Sequence, residues 1–153
     1  MTYDALRKGR ASVPGHAYVV TTVTSRRMRL FVDLRAARAV IREMHRLEAT
    51  GAIHSLAWVL MPDHLHWLFQ LTDDRQHEAD LATIMKLFKG RSARAVNHVM
   101  RRRGAVWQRA YYDRGVRNDE DVVQIARYIA ANPLRARLVR TLGEYPHWDA
   151  IWL

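Results

Sequence analysis

Two histidines, His64 and His66, stand one residue apart in the run HLHWLF. In a strand, residues two apart project from one face, so both imidazoles would look the same way, near enough to chelate one ion, with Leu65 and Trp67 on the opposite face. Eight histidines in 153 residues give about 0.4 such pairs by chance. The spacing alone therefore favours two structural histidines satisfied by neighbours. A second candidate group is Tyr128 with Asn132, four apart in DEDVVQIARYIAANP, with Asp121 and Ile125 extending the same helical stripe. A phenol and an amide would emerge together there. Periodicity alone favours another arrangement, a core tyrosine with a bonded hydroxyl and an asparagine that ends the helix before Pro133. The chain has no cysteine. Thiol catalysis, disulfides and thiolate metal sites are excluded, and any metal must take His, carboxylate or amide ligands.

The elements that must position these groups alternate between strand and helix. HAYVVTTVT (16–24) is β-branched and aromatic, a strand signal. Asp33 can cap a helix with Leu34, Ala37, Ile41, Met44 and Leu47 on its apolar side, stopped by Gly51. IHSLAWVLM (53–61) and HLHWLFQL (64–71) are separated only by Pro62-Asp63, which predicts an antiparallel hairpin. A long helix follows over about 78–101, with Leu81, Ile84, Met85, Leu87 and Phe88 inward and Gly90 as a weak point. AVWQRAYYDRGVR (105–117) reads as an irregular strand broken by Gly115. Asn118 then caps a helix opened by Asp119, Glu120 and Asp121, acids that the helix dipole favours, and Pro133 ends it near 131–132. The order β-α-β-β-α-β-α predicts an α+β fold with a ferredoxin-like four-stranded antiparallel sheet, helices on one face and the final helix free to cross the other.

With no repeat or linker, residues 1–153 read as one domain, with a short aromatic tail from about 140 containing Tyr145, Trp148 and Trp152. A chain of this length can bury roughly two-thirds of its unfolded surface in one core. The stretch MTYDALRKGRASVPGHAYVV has no apolar segment suited to a secretory signal, and runs such as AWVLMP are too short to span a bilayer. A soluble, cytoplasmic and nucleoid-associated protein is expected. The formal net charge is +10, which points toward a polyanion. The charge is concentrated: Lys86, Lys89, Arg91, Arg94, Arg101, Arg102, Arg103, Arg109, Arg114 and Arg117 fall between residues 86 and 117 against the single acid Asp113. Such a window reads either as a solvated helix face or as a phosphate-contacting surface. Trp107, Tyr111 and Tyr112 within it could stack on unpaired bases or fill a core.

The order WVLMPDHLHWLF, LFKGRSARAVN, VWQRAYYDRGVRNDED, YIAANPLRARLV, from about Ala57 to Val139, resembles the single-tyrosine HUH transposases, and among them the REP-associated tyrosine transposases. The resemblance implies roles residue by residue. His64 and His66 match paired metal ligands, Tyr128 matches the nucleophile, and Asn132 matches a third ligand position that is often Gln in related transposases. Tyr111 and Tyr112 match neither role. It also implies a partner, a single-stranded DNA hairpin beside a short flanking tetranucleotide, and a monomer, with a homodimer as the alternative.

The residue types suit that chemistry. A free phenol, with a pKa near 10, attacks a phosphodiester poorly unless charge developing on the phosphate is offset. Two neutral imidazoles and an amide oxygen would suit Mg²⁺ or Mn²⁺ and leave positions open for phosphate oxygens. The expected product is a 5′-phosphotyrosine with a free 3′-OH, formed without ATP. Two other classes fit the same residues: a noncatalytic nucleic-acid-binding regulator, and a metallo-hydrolase with Tyr128 structural.

Overall fold

The β-branched run AYVVTTV forms β1 (Ala17–Val23) in a computed structural model that describes residues 12–152, except for the side chains of residues 119 and 120. Residues 1–11 of the stretch read for a secretory signal, and the side chains of Asp119 and Glu120, lie outside the described residues. Helix α1 (Leu34–Ala49) begins where the Asp33 carboxylate accepts the Arg35 amide at 2.8 Å, and ends before Gly51, whose φ of +83° suits glycine. Its inner face is Ala36, Ala37, Val40, Met44 and Leu47; Leu34, expected inward, sits in the first turn and is exposed.

Strands β2 (Ile53–Met61) and β3 (His64–Leu71) form the expected hairpin, with a register shift between Ser55 and Ala57. The Pro62-Asp63 turn is anchored from outside, since its two carbonyls accept the amides of Phe31 and Thr24. Helix α2 (Leu81–Met100) starts at Asp80, which accepts the Thr83 amide at 2.8 Å, three residues later than the sequence suggests. It runs unbroken through Gly90, since packing of Leu81, Ile84, Met85, Phe88 and Val96 holds it, each such burial being worth about 1.5–3 kcal/mol. Leu87, expected inward, faces solvent.

Only Tyr112–Val116 of the 105–117 segment forms a regular strand, β4. Trp107 makes an isolated bridge to Thr24, whereas β4 continues through Gly115, which pairs with Tyr18. Helix α3 (Asp119–Ala130) is capped by Asn118, whose side chain accepts the Asp121 amide. The chain turns at Ala131 into the short helix α4 (Asn132–Arg135), with buried Pro133 in its first turn. The tail adds an element not read in the sequence: β5 (Trp148–Ala150) pairs antiparallel with β2.

The sheet order is β4-β1-β3-β2-β5. Its first four strands have the predicted ferredoxin-like arrangement, and β5 makes five. Alternation divides the side chains between two cores. Tyr18, Val20, Leu60, Leu65, Trp67 and Phe69 pack with α1, α2, Val106, Trp107 and Tyr111. On the opposite face Ala57, Val59, Met61 and Leu68 pack with Val122, Ala126 and Ile129 of α3 and with Ala150. Among the described residues no helix is long and apolar enough to cross a membrane.

Candidate active site

The β3 register decides where the two histidines go. Leu65, Trp67 and Phe69 enter the core beneath α1 and α2, so His64, His66 and Leu68 face α3. The imidazole centroids are 4.7 Å apart at an interplanar angle of 78°. Each ring is held by its Nδ1. His66 Nδ1 lies 2.7 Å from the hydroxyl of Thr21, its cross-strand partner on β1. His64 Nδ1 lies 2.7 Å from an Asp63 carboxylate oxygen. Burial pushes the Asp63 carboxyl up, but the hydrogen bond and charge from His64, together with Arg27, outweigh burial and hold it below the usual range. An ionised carboxylate only accepts, so His64 Nδ1 carries a proton and donates it to Asp63.

Burial, helped by the nearby His64 and Arg135 charges, lowers the His66 pKa to about 4. Its imidazole is therefore neutral at pH 7, the form that ligates a metal. Two same-facing imidazoles, each oriented through Nδ1 and left with Nε2, fit a divalent cation. Among the described residues no His, Asp or Glu adds a third ligand, so a complete set needs an amide or water.

Val122, Ala126 and Ile129 seal α3 against the β2 and β3 side of the sheet, while its other flank stands open over β1 and β4. The resulting cleft, about 810 Å³, is walled by Thr21, His66, Arg114 and Arg117 on the sheet side and by Asp121, Gln124 and Tyr128 on the helix side. Tyr128 is 63% exposed, so the core role that periodicity favoured does not apply. Among the other described tyrosines, three are committed. Tyr145 donates its hydroxyl to the Leu60 carbonyl at 2.6 Å, and burial pushes its pKa up to about 12. Tyr18 accepts the Val13 amide, and Tyr111 is buried in the α1/α2 core together with Trp107, which leaves neither ring open for base stacking. Tyr112 is exposed on the α3 face, paired in register with Thr21.

The remaining predicted residues divide. Asn132 follows the turn at Ala131, where α3 ends; it opens α4 and is half-buried. Arg114 and Arg117 line the cleft. Lys86, Arg91 and Arg94 are exposed on α2, which packs on the sheet face opposite the histidines. Arg101, in a left-handed conformation, ends that helix, and Arg103 and Arg109 are exposed in the loop beyond. Two of the ten cations are used internally. Lys89 donates to the Gln108 and Arg109 carbonyls at 2.7 and 2.9 Å. Arg102 donates to the Asn97 side chain at 2.6 Å and to the Ala105 carbonyl at 3.3 Å.

Three residues at the site, Thr21, Gln124 and Arg135, were not singled out in the sequence. Gln124 is four before Tyr128, a spacing that places it on the same face. Arg135 lies beyond the turn at Ala131, and its Cζ sits 3.6 Å from the Tyr128 ring centroid.

The sequence profile described as "Transposase IS200 like" matches residues 12–132. A Haemophilus influenzae protein, provisionally described as a REP-associated tyrosine transposase, is 25% identical over 99 residues, 61% of this chain and 56% of the relative. The match thus spans little more than half the relative's length. The fold is that of a solved REP-associated tyrosine transposase bound to a REP hairpin, with TM-score 0.70, 21% identity, and coverage of 91% of this chain and 79% of the other. It is also similar to the crystal structure of a Deinococcus radiodurans protein provisionally described as a transposase, with TM-score 0.56, 23% identity, and coverage of 80% and 94%. With the profile covering most of its length, including both histidines, Tyr128 and Asn132, the chain belongs to the IS200-like transposase family.

Proposed function

We propose that this transposase cuts and rejoins single-stranded DNA beside a hairpin, with Tyr128 as the nucleophile. The observation that carries the reading is the juxtaposition across one open cleft of an exposed phenol and a neutral, oriented imidazole, Tyr128 and His66. A REP-like hairpin with a flanking tetranucleotide is the proposed substrate class, supported by the hairpin on the solved REP-associated relative.

In this reading His64 and His66 hold Mg²⁺ or Mn²⁺ through Nε2, with the Asn132 amide oxygen as third donor. When bound, that cation supplies positive charge to offset what builds on the phosphate. Asp63 and Thr21 keep the imidazoles aimed through their Nδ1 atoms. Arg114 and Arg117 hold the DNA backbone at the cleft mouth. The Tyr128 oxygen attacks phosphorus: an O–P bond to tyrosine forms, the P–O3′ bond breaks, and the phenolic proton leaves to water while the 3′ oxygen gains one. The phosphotyrosine conserves the bond energy, so a second 3′-OH can reverse the step without ATP. A monomer is the proposed working form, with a homodimer as the alternative.

Wild-type protein and Tyr128→Phe, incubated with single-stranded hairpin oligonucleotides and Mn²⁺ and run on a denaturing gel, test the reading. Wild type forms protein-linked DNA; the variant forms none and still binds. An adduct in the variant overturns it. Cleavage by wild type without an adduct indicates hydrolysis by water, and binding indifferent to EDTA without cleavage indicates a noncatalytic regulator.

A further inference from the structure

Arginines on this molecule are mostly committed where they meet a partner. Arg27, Arg35 and Arg46 pair with Asp63, Asp33 and Glu43, and Arg102 is bonded to the chain beside it. Arg135 differs. It is exposed, its guanidinium stacks on the Tyr128 ring, Cζ to centroid 3.6 Å, and its side chain has no hydrogen bond or ion pair among the described residues. A guanidinium that stacks uses its flat face, so its five N–H donors remain at the rim, in the geometry that matches a phosphate bidentately. Its charge is also felt at His66. The cation thus touches the phenol's ring and acts electrostatically on the histidine, and among the described residues no carboxylate pairs with it.

We propose that Arg135 is a catalytic residue that grips the scissile phosphate: its edge donates two N–H bonds to the non-bridging oxygens while its face holds the exposed Tyr128 ring in line for attack. The inference rests on the proposed role of Tyr128. Pro133, buried in the first turn of α4, restricts the backbone of the short helix that carries Arg135, seven residues after Tyr128. A charge aimed at the reacting phosphate strengthens as negative charge grows on its oxygens, so its main effect falls on the rate and a smaller one on binding. Lysine retains the charge but neither stacks as a plane nor donates as a fork.

Adduct formation is measured at saturating hairpin for wild type, Arg135→Ala and Arg135→Lys. The expected result is a loss of roughly 100-fold for Arg135→Ala, in line with removal of one charge-stabilising donor group, and only partial recovery with Lys. A second measurement needs no turnover and no metal. In the Tyr128→Phe background with EDTA, affinity is compared for hairpins carrying a phosphate or an uncharged methylphosphonate at the position where wild type cuts. Arg135 should favour the phosphate several-fold, and Arg135→Ala should erase that preference. Wild-type adduct with Arg135→Ala reacting at the wild-type rate, or with the phosphate preference unchanged, overturns this inference alone. Absence of any Tyr128-linked adduct from wild type overturns the proposed function beneath it.

Discussion

On the sheet face covered by α1 and α2, Trp67, Phe69, Phe88 and Trp107 form a continuous aromatic core, none more than 6% exposed. Their ring centroids are 4.9 to 6.3 Å apart. The indoles of Trp67 and Trp107 are spent within it, bonded to Ser55 and Ser92. On the other face a single helix covers only part of the sheet, and its open flank leaves polar and charged groups around a cleft. The first face supplies rigidity; the second keeps its donors and lone pairs for something else. Strand alternation lets one strand, β3, serve both, with Trp67 on one side and His66 on the other.

The sharpest way to break this contrast is to remove Trp67. Trp67→Ala should cost about 3–5 kcal/mol of stability, read as a shift in urea midpoint. A change under about 1 kcal/mol would mean that this face is not the scaffold. Next in size is Thr21→Val, close to isosteric, which leaves His66 Nδ1 without its partner. Mn²⁺ affinity by calorimetry should fall about 10- to 100-fold with little change in Tm. Equal affinity would show that packing alone orients the ring. The smallest effect separates the two basic surfaces. Arg114→Ala should weaken hairpin binding several-fold and flatten its salt dependence by about 0.7 in log–log slope, whereas Arg94→Ala on α2 should do less. The reverse order would route the DNA over the α1/α2 face.

Much of this arrangement is legible from local pattern. The strand period fixed the shared direction of His64 and His66, and caps at Asp33 and Asn118 located two helices. Boundaries and outliers were lost where tertiary contacts override pattern. Asp80 starts α2 later than its composition suggests, and Leu34 and Leu87 face outward because alanines and Phe88 already fill the core. The short β5 carries too few residues to show a period, and it exists because β2 offers an edge. The site was legible to the extent that its spacings lie within one element. Thr21 and Asp63 depend on strand register and on a turn, which no single-element period encodes, and Arg135 lies beyond the turn at Ala131. Basic character located the charge but not its direction, since Lys89 and Arg102 turn inward to hold their own loop.

The edge strand β5 has a further effect on α3. Strand β4 leads into α3 through Asn118 at one margin of the sheet, and the chain after α4 returns to the opposite margin as β5. The helix bearing Tyr128 is thus tethered across the whole width of the sheet. Moving that helix off the sheet would first require peeling β5 from β2 and freeing Tyr145 from Leu60, so these contacts act as a latch on α3.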